Sequence, residues 1–128
     1  MGYLPDTNIL INYLKGLDPE KDYFKKIITS EKLFFSPLVA AEYFAKAKEK
    51  EIVVFKELLT LGTIIPIDVE TALVAGSYRK KFSKKTKKVY LIDCLIAATC
   101  KIYNLTLITN NIKDYPMKDI KIIEPLPA

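Results

Sequence analysis

Four acidic residues in this sequence stand where solvated charges do not belong. Asp6 ends the short apolar stretch Tyr3-Leu4-Pro5, and Glu42 follows Leu38-Val39-Ala40-Ala41. Asp93 sits between Leu91-Ile92 and Leu95-Ile96, and Asp114 lies beyond the run Thr106-Leu107-Ile108. Each has a plain structural use: a helix cap, a partly exposed helix acid, a partner for a helix dipole, a loop turn. That use explains Asp93 least, because a charge on an otherwise apolar helix ordinarily has a partner. No base stands beside Asp6 or Asp93 to serve as one. Two carboxylates about 4 Å apart repel by about 4 kcal/mol at an effective dielectric of about 20. Three that converge must raise their own pKa values or recruit a cation. A divalent ion would resolve the conflict and supply a Lewis acid and an activated water for phosphodiester cleavage.

Composition narrows the chemistry further. The chain has no histidine, which excludes Ser-His-Asp triads, Cys-His dyads and Cys/His zinc sites. Its two cysteines, Cys94 and Cys100, fall six positions apart on one helical run. That places them about 9 Å apart along the axis, beyond the roughly 7 Å reach of a disulfide. They read as small buried apolar residues. Any metal is therefore held by oxygen, which favours magnesium or manganese. Neither GxGxxG nor GxxxxGK[ST] occurs, so nucleotide-cofactor readings lack support. Asp6-Thr7-Asn8 has neither the adjacent acids of a signalling receiver nor the Asp-x-Asp of a phosphatase.

The net charge of +5 is unevenly placed. Arg79, Lys80, Lys81, Lys84, Lys85, Lys87 and Lys88 form an acid-free segment, and taking those seven away leaves the remainder at −2. Such a run is either a solvated helix end and loop or a landing site for nucleic-acid phosphates.

The elements that must position these residues alternate between short strands and helices. Tyr3–Pro5 reads as a strand, and Asp6 hands it over to a helix through Ile9–Leu14 that stops at Gly16. Asp18-Pro19-Glu20 starts a second helix, with proline at its first position. Leu33–Phe35 reads as a strand, and Ser36-Pro37 opens a helix running through Ala45 into the charged residues 46–51. A further helical stretch covers Ile52–Leu61 and ends at Gly62. Thr63–Ile67 is a third strand, with Pro66 marking its end. Asp68 caps a helix from Val69 to about Phe82. Val89–Tyr103 is the most apolar helix, with Asn104 as a left-handed stop. Thr106–Ile108 and Ile120–Ile122 supply the last two strands. A chain of 128 residues suits one domain, 1–128, burying roughly two-thirds of its unfolded surface. The pattern predicts an α/β layer structure with a mainly parallel sheet, in which ligands bind beyond the carboxyl ends of the strands. No apolar run reaches the roughly 18 residues of a membrane span. The opening residues carry no basic lead or small-residue cleavage site, so the expected compartment is the cytosol.

In the order LPDTNILINYL at 4–14, SPLVAAEYF at 36–44 and DCLIAATCKIYNLTLITNNIKDY at 93–115, the chain resembles the PIN-domain ribonucleases, especially VapC-like toxins of type II toxin–antitoxin pairs. The resemblance implies a three-layer α/β/α fold with a short, mainly parallel central sheet. It matches Asp6, Glu42 and Asp93 to the acidic site. The fourth position is open: some relatives carry an acid where this chain has Asn110, others at Asp114. Asp114 ranks first, because an ionised carboxylate binds magnesium better than an amide. Thr7 and Thr109, with Asn110, would steady the carboxylates.

The activity implied is endoribonucleolytic hydrolysis, dependent on one or two Mg2+ or Mn2+ ions. The basic segment at 79–88 would hold RNA phosphates, and a cognate antitoxin and a second copy of the chain are the implied partners. Tyr13, Tyr23, Phe24, Tyr43, Phe44 and Phe55 offer apolar surface for such contacts or else form core. The rival readings are a non-cleaving RNA- or protein-binding module of the same fold and a housekeeping PIN nuclease.

Overall fold

The computed structural model describes residues 2–30, 32–83 and 89–125. Strand β1 (Gly2–Pro5) runs into α1 (Thr7–Leu14), as expected for a carboxylate at a strand end. Asp6 is the cap: its carboxylate accepts the Thr7 N–H at 2.8 Å, satisfying an otherwise orphaned helix donor. Gly16 ends the turn with φ at +73°, a left-handed conformation that glycine adopts without cost. Pro19 precedes α2 (Glu20–Thr29) as its cap rather than occupying the first helical position.

Strand β2 (Phe34–Phe35) leads to α3 (Pro37–Lys46), where the Ser36 hydroxyl accepts the Leu38 N–H at 3.2 Å. The predicted continuation of this helix through residues 46–51 does not occur. Ala47 turns extended with ψ at 144°, and α4 begins at Glu49 and runs to Leu59. The new start is closed locally, because Glu51 reaches back to accept the Lys48 N–H at 2.8 Å. The third strand, β3 (Thr63–Ile64), is shorter than predicted. It closes on β2 beside Gly62, where a Cβ would come within 2.5 Å of the Leu33 carbonyl oxygen. Helix α5 (Val69–Phe82) has the predicted bounds and its Asp68 cap. Helix α6 (Leu91–Tyr103) ends at Asn104 with φ at 55°, the left-handed stop expected there. Strands β4 (Leu105–Ile108) and β5 (Lys121–Ile123) follow, with a 3-10 turn at Ile112–Asp114 between them.

Among the described residues all strand pairings are parallel: β1 with β4, β4 with β5, and β2 with β3. A bridge between Tyr3 and Leu33 joins the two sets, giving the order β3-β2-β1-β4-β5. The chain winds outward on both sides of the β1/β4 pair, so that pair is the topological switch point of the sheet. Leu4, Leu107 and Ile108 from its centre are wholly buried against Ile9, Leu10, Val39, Ile96 and Phe55. Phe24 and Phe55 are wholly buried in this core, and Tyr43 is mostly buried in it. Tyr13, Tyr23 and Phe44 are half-buried against it. Among the described residues, no helix is long and apolar enough to cross a membrane.

Candidate active site

The switch point determines where Asp6 stands. Its backbone N–H donates to the Ile108 carbonyl at 2.8 Å, welding the end of β1 to the end of β4. One carboxylate oxygen, Oδ1, caps α1. The other, Oδ2, accepts from the Thr109 hydroxyl at 3.0 Å and from the Tyr115 hydroxyl at 3.1 Å. Each carboxylate oxygen offers about two lone pairs, so Oδ2 is fully used and Oδ1 keeps one. Thr109 is wholly buried and accepts the Asn111 N–H at 3.0 Å, which locks the loop after β4 onto Asp6.

Thr7, one residue on, donates its hydroxyl to Glu42 Oε1 at 2.9 Å and so ties α3 to α1. Asp93 lies in the first turn of α6, and its Oδ1 is 3.4 Å from the Tyr115 hydroxyl. Burial, followed by the negative charges of Asp6, Asp114 and Glu42, pushes its carboxyl up to about 6, against the opposing hydrogen bond from Tyr115. Asp114 closes the 3-10 turn and is exposed. Asp6, Thr7, Glu42, Asp93 and Asp114 all line one cavity of about 1010 Å³.

The expectation for Asn110 needs correcting. Asn110 does not line this cavity; it donates to Glu20 Oε2 at 2.7 Å, and Asn111 faces the cavity instead. Glu20 also accepts from Asn12. Burial raises its pKa, but the hydrogen bonds from Asn12, its own backbone and Asn110 outweigh this and hold the carboxyl below its usual value. Arg79, Lys80 and Lys81 lie in the last turn of α5 and do not line the cavity. Lys84, Lys85, Lys87 and Lys88 fall outside the described residues.

Tyr115 is the residue that sequence reasoning missed. Burial, then the charges of Asp6 and Asp93, drives its phenol far above the usual value, so it stays a donor. The only signal in the sequence is its place after Asp114 in the closing motif. Both cysteines are free and buried, and burial with the Asp6 charge pushes Cys100 up to about 12, which rules out a ready thiolate nucleophile there.

Asp6, Glu42, Asp93 and Asp114 line the cavity together with a fifth acid, Glu51; the set offers oxygen donors only, and among the described residues none of the five is in an ion pair with a base. That chemistry, with Asp93 raised by burial and then by its neighbours' charge, fits a hard divalent cation. Among the described residues no three acidic or cysteine side chains are grouped closely enough to be a ready metal cage.

Comparison with known proteins places this arrangement. The PIN domain family matches residues 3–120. Ribonuclease VapC19 of Mycobacterium tuberculosis is 24% identical over 115 residues, covering 89% of this chain and 92% of the relative. Ribonuclease VapC of Rickettsia bellii is 28% identical over 123 residues, covering 90% and 89%. Among solved structures, VapBC2 from Rickettsia felis, bound to a promoter DNA fragment, superposes with a TM-score of 0.82 at 24% identity, covering 97% of this chain and 98% of that one. A toxin–antitoxin complex from Klebsiella pneumoniae gives 0.81 at 26% identity, covering 99% and 100%. With its family match running from β1 through β4 and including the switch point and Asp6, Glu42, Asp93 and Asp114, the chain belongs to the PIN domain family.

Proposed function

We infer that residues 1–128 act as one endoribonuclease domain, the toxin of a toxin–antitoxin pair, that works in the cytosol and depends on Mg2+ or Mn2+. The observation that carries this reading is the meeting of Asp6, Glu42, Asp93 and Asp114 on one cavity at the sheet's switch point. The names of the relatives as ribonucleases, and the solved toxin–antitoxin complexes of the same fold, support it.

Asp6, Asp93 and Glu42, with Asp114 as the fourth, would hold one or two ions. A bound divalent ion supplies Lewis-acid charge at the scissile phosphate and makes water acidic enough to attack phosphorus near neutral pH. The protein's part is orientation. Thr109 and Tyr115 occupy Asp6 Oδ2, so Oδ1 is the oxygen left with a lone pair for the cavity. Thr7 engages Glu42 Oε1 and leaves Oε2 for the cavity. Tyr115, set between Asp6 and Asp93, holds the two acids of β1 and α6 in one register. Arg79, Lys80 and Lys81 give α5 a basic end suited to more distant RNA phosphates.

A cognate antitoxin and a second copy of the chain are the proposed partners, and exposed Val69 and Leu73 on α5 provide apolar surface for such contacts. One observation favours the rival, a non-cleaving RNA- or protein-binding module: the lack of a ready three-acid cage among the described residues. Turnover decides between them. Purified protein should cut structured RNA with magnesium or manganese and stop when chelated, and Asp6→Asn or Asp93→Asn should abolish cutting. Persistent cleavage by both variants, with contaminating nuclease excluded, would defeat the site assignment.

A further inference from the structure

The cavity that holds Asp6, Glu42, Asp93 and Asp114 is not acidic throughout. Lys15, Lys46 and Lys50 line it as well, and all three are exposed. Their positions follow from the helices. Helix α1 is capped by Asp6 at its start and by Lys15 at its end, about 13 Å further along its axis. Lys46 ends α3, one turn or about 6 Å beyond Glu42, and Lys50 stands in the first turn of α4 just after the break at Ala47. The two helices that present Asp6 and Glu42 to the cavity therefore carry Lys15 and Lys46 away from those acids; the acid beside the lysines is Glu51 on α4, which lines the cavity too and accepts the Lys48 N–H. Among the described residues, none of the three lysines is in an ion pair, with these acids or with any other.

A polyanion entering an acid-lined cavity is repelled unless cations flank the acids. The conspicuous basic residues on α5 do not line this space, whereas these three do. Resting on the ribonuclease reading above, we propose that Lys15, Lys46 and Lys50 form the subsite for the phosphates next to the scissile bond of single-stranded RNA. The strand lies along α1 and α3, with the bond to be cut at the acids.

The alternative use of Lys15 and Lys46, complementing the negative ends of their helices, affects stability and not RNA binding. The test is fluorescence anisotropy of a labelled single-stranded oligoribonucleotide in chelator, across a salt series. It compares wild type with a triple variant, Lys15→Gln, Lys46→Gln and Lys50→Gln. A charge-matched control carries Lys25→Gln, Lys26→Gln and Lys32→Gln, none of which lines the cavity. Three lost phosphate contacts should flatten the slope of log affinity against log salt by about 2, while the control keeps the wild-type slope. Arginine at the three cavity positions should restore it. An equal loss in cavity variant and control would overturn the proposal, since only net charge would then matter. So would an unchanged slope in a cavity variant whose wild type binds and cuts RNA; there the ribonuclease reading survives alone. A wild type that neither binds nor cuts RNA defeats the ribonuclease reading itself, and the subsite with it.

Discussion

Asn110 donates to Glu20 at 2.7 Å, joining the loop after β4 to the first turn of α2 across ninety residues of chain. Glu20 is buried, and Asn12 from α1 donates to the same carboxylate oxygen. Removing the acceptor leaves two amide donors without it. Glu20→Ala should therefore cost about 1–3 kcal/mol, seen as a lower midpoint in urea unfolding. Glu20→Gln keeps the shape and one acceptor, and should cost less.

Tyr115→Phe and Thr109→Val remove the two hydroxyls that hold Asp6 Oδ2 while nearly conserving volume. Partners of this kind are typically worth 10–100-fold in metal affinity or activity. Each variant should lose RNA cleavage within about that range, with a matching rise in the metal concentration needed for half-maximal rate. A rate unchanged at limiting metal would show that Asp6 does not depend on them.

Asp93→Asn separates activity from stability. The Asp93 carboxyl is raised to about 6 in the folded chain from a usual 3.8. Folding is therefore opposed by its ionisation: the cost is absent below about pH 4 and complete above about pH 6. In chelator, the asparagine variant should melt like wild type near pH 4 and higher than wild type at pH 7. The group is half-exposed, so solvent screening limits the gain to on the order of 1 kcal/mol. Its RNA cleavage should be abolished. A variant less stable than wild type at pH 7 would contradict the charge crowding described at the site.

A distant ion pair provides the opposite sign. Asp119 accepts from the Tyr78 hydroxyl at 2.8 Å and from Lys101 at 2.7 Å, pinning the loop before β5 to α5 and α6. Partial burial raises its pKa, but the Lys101 and Tyr78 hydrogen bonds prevail and hold it below the usual 3.8. Its contribution is present above about pH 4 and is lost as acid protonates it in the folded state. The melting-temperature gap between wild type and Asp119→Asn should be largest above pH 4 and close on further acidification.

Much of the fold was legible because its signals are local. Asp6, Ser36, Asp68 and Asn104 mark helix ends through their own side chains or backbone, and all four do so in the structure. The break between α3 and α4 was not, since residues 46–51 are helix-favouring throughout and nothing local forbids continuation. Asp6, Glu42 and Asp93 were conspicuous as acids in apolar surroundings. Asn110 misled because its partner, Glu20, lies ninety positions away, and Tyr115 escaped notice for the same reason. The basic run at 79–88 drew attention as a run, while Lys15, Lys46 and Lys50 come one to a helix end and converge only on the cavity.

The weld between Asp6 and Ile108 has a consequence for timing. Asp6 leaves the ribosome about a hundred residues before Thr109 and Tyr115, which at roughly 5–20 residues per second is an interval of about 5–20 s. Until β4 and the loop behind it have emerged, the first acid has neither its strand partner nor its two hydroxyls. The end of β1 therefore gains its fixed geometry only after residues 105–115 are available to pair with it.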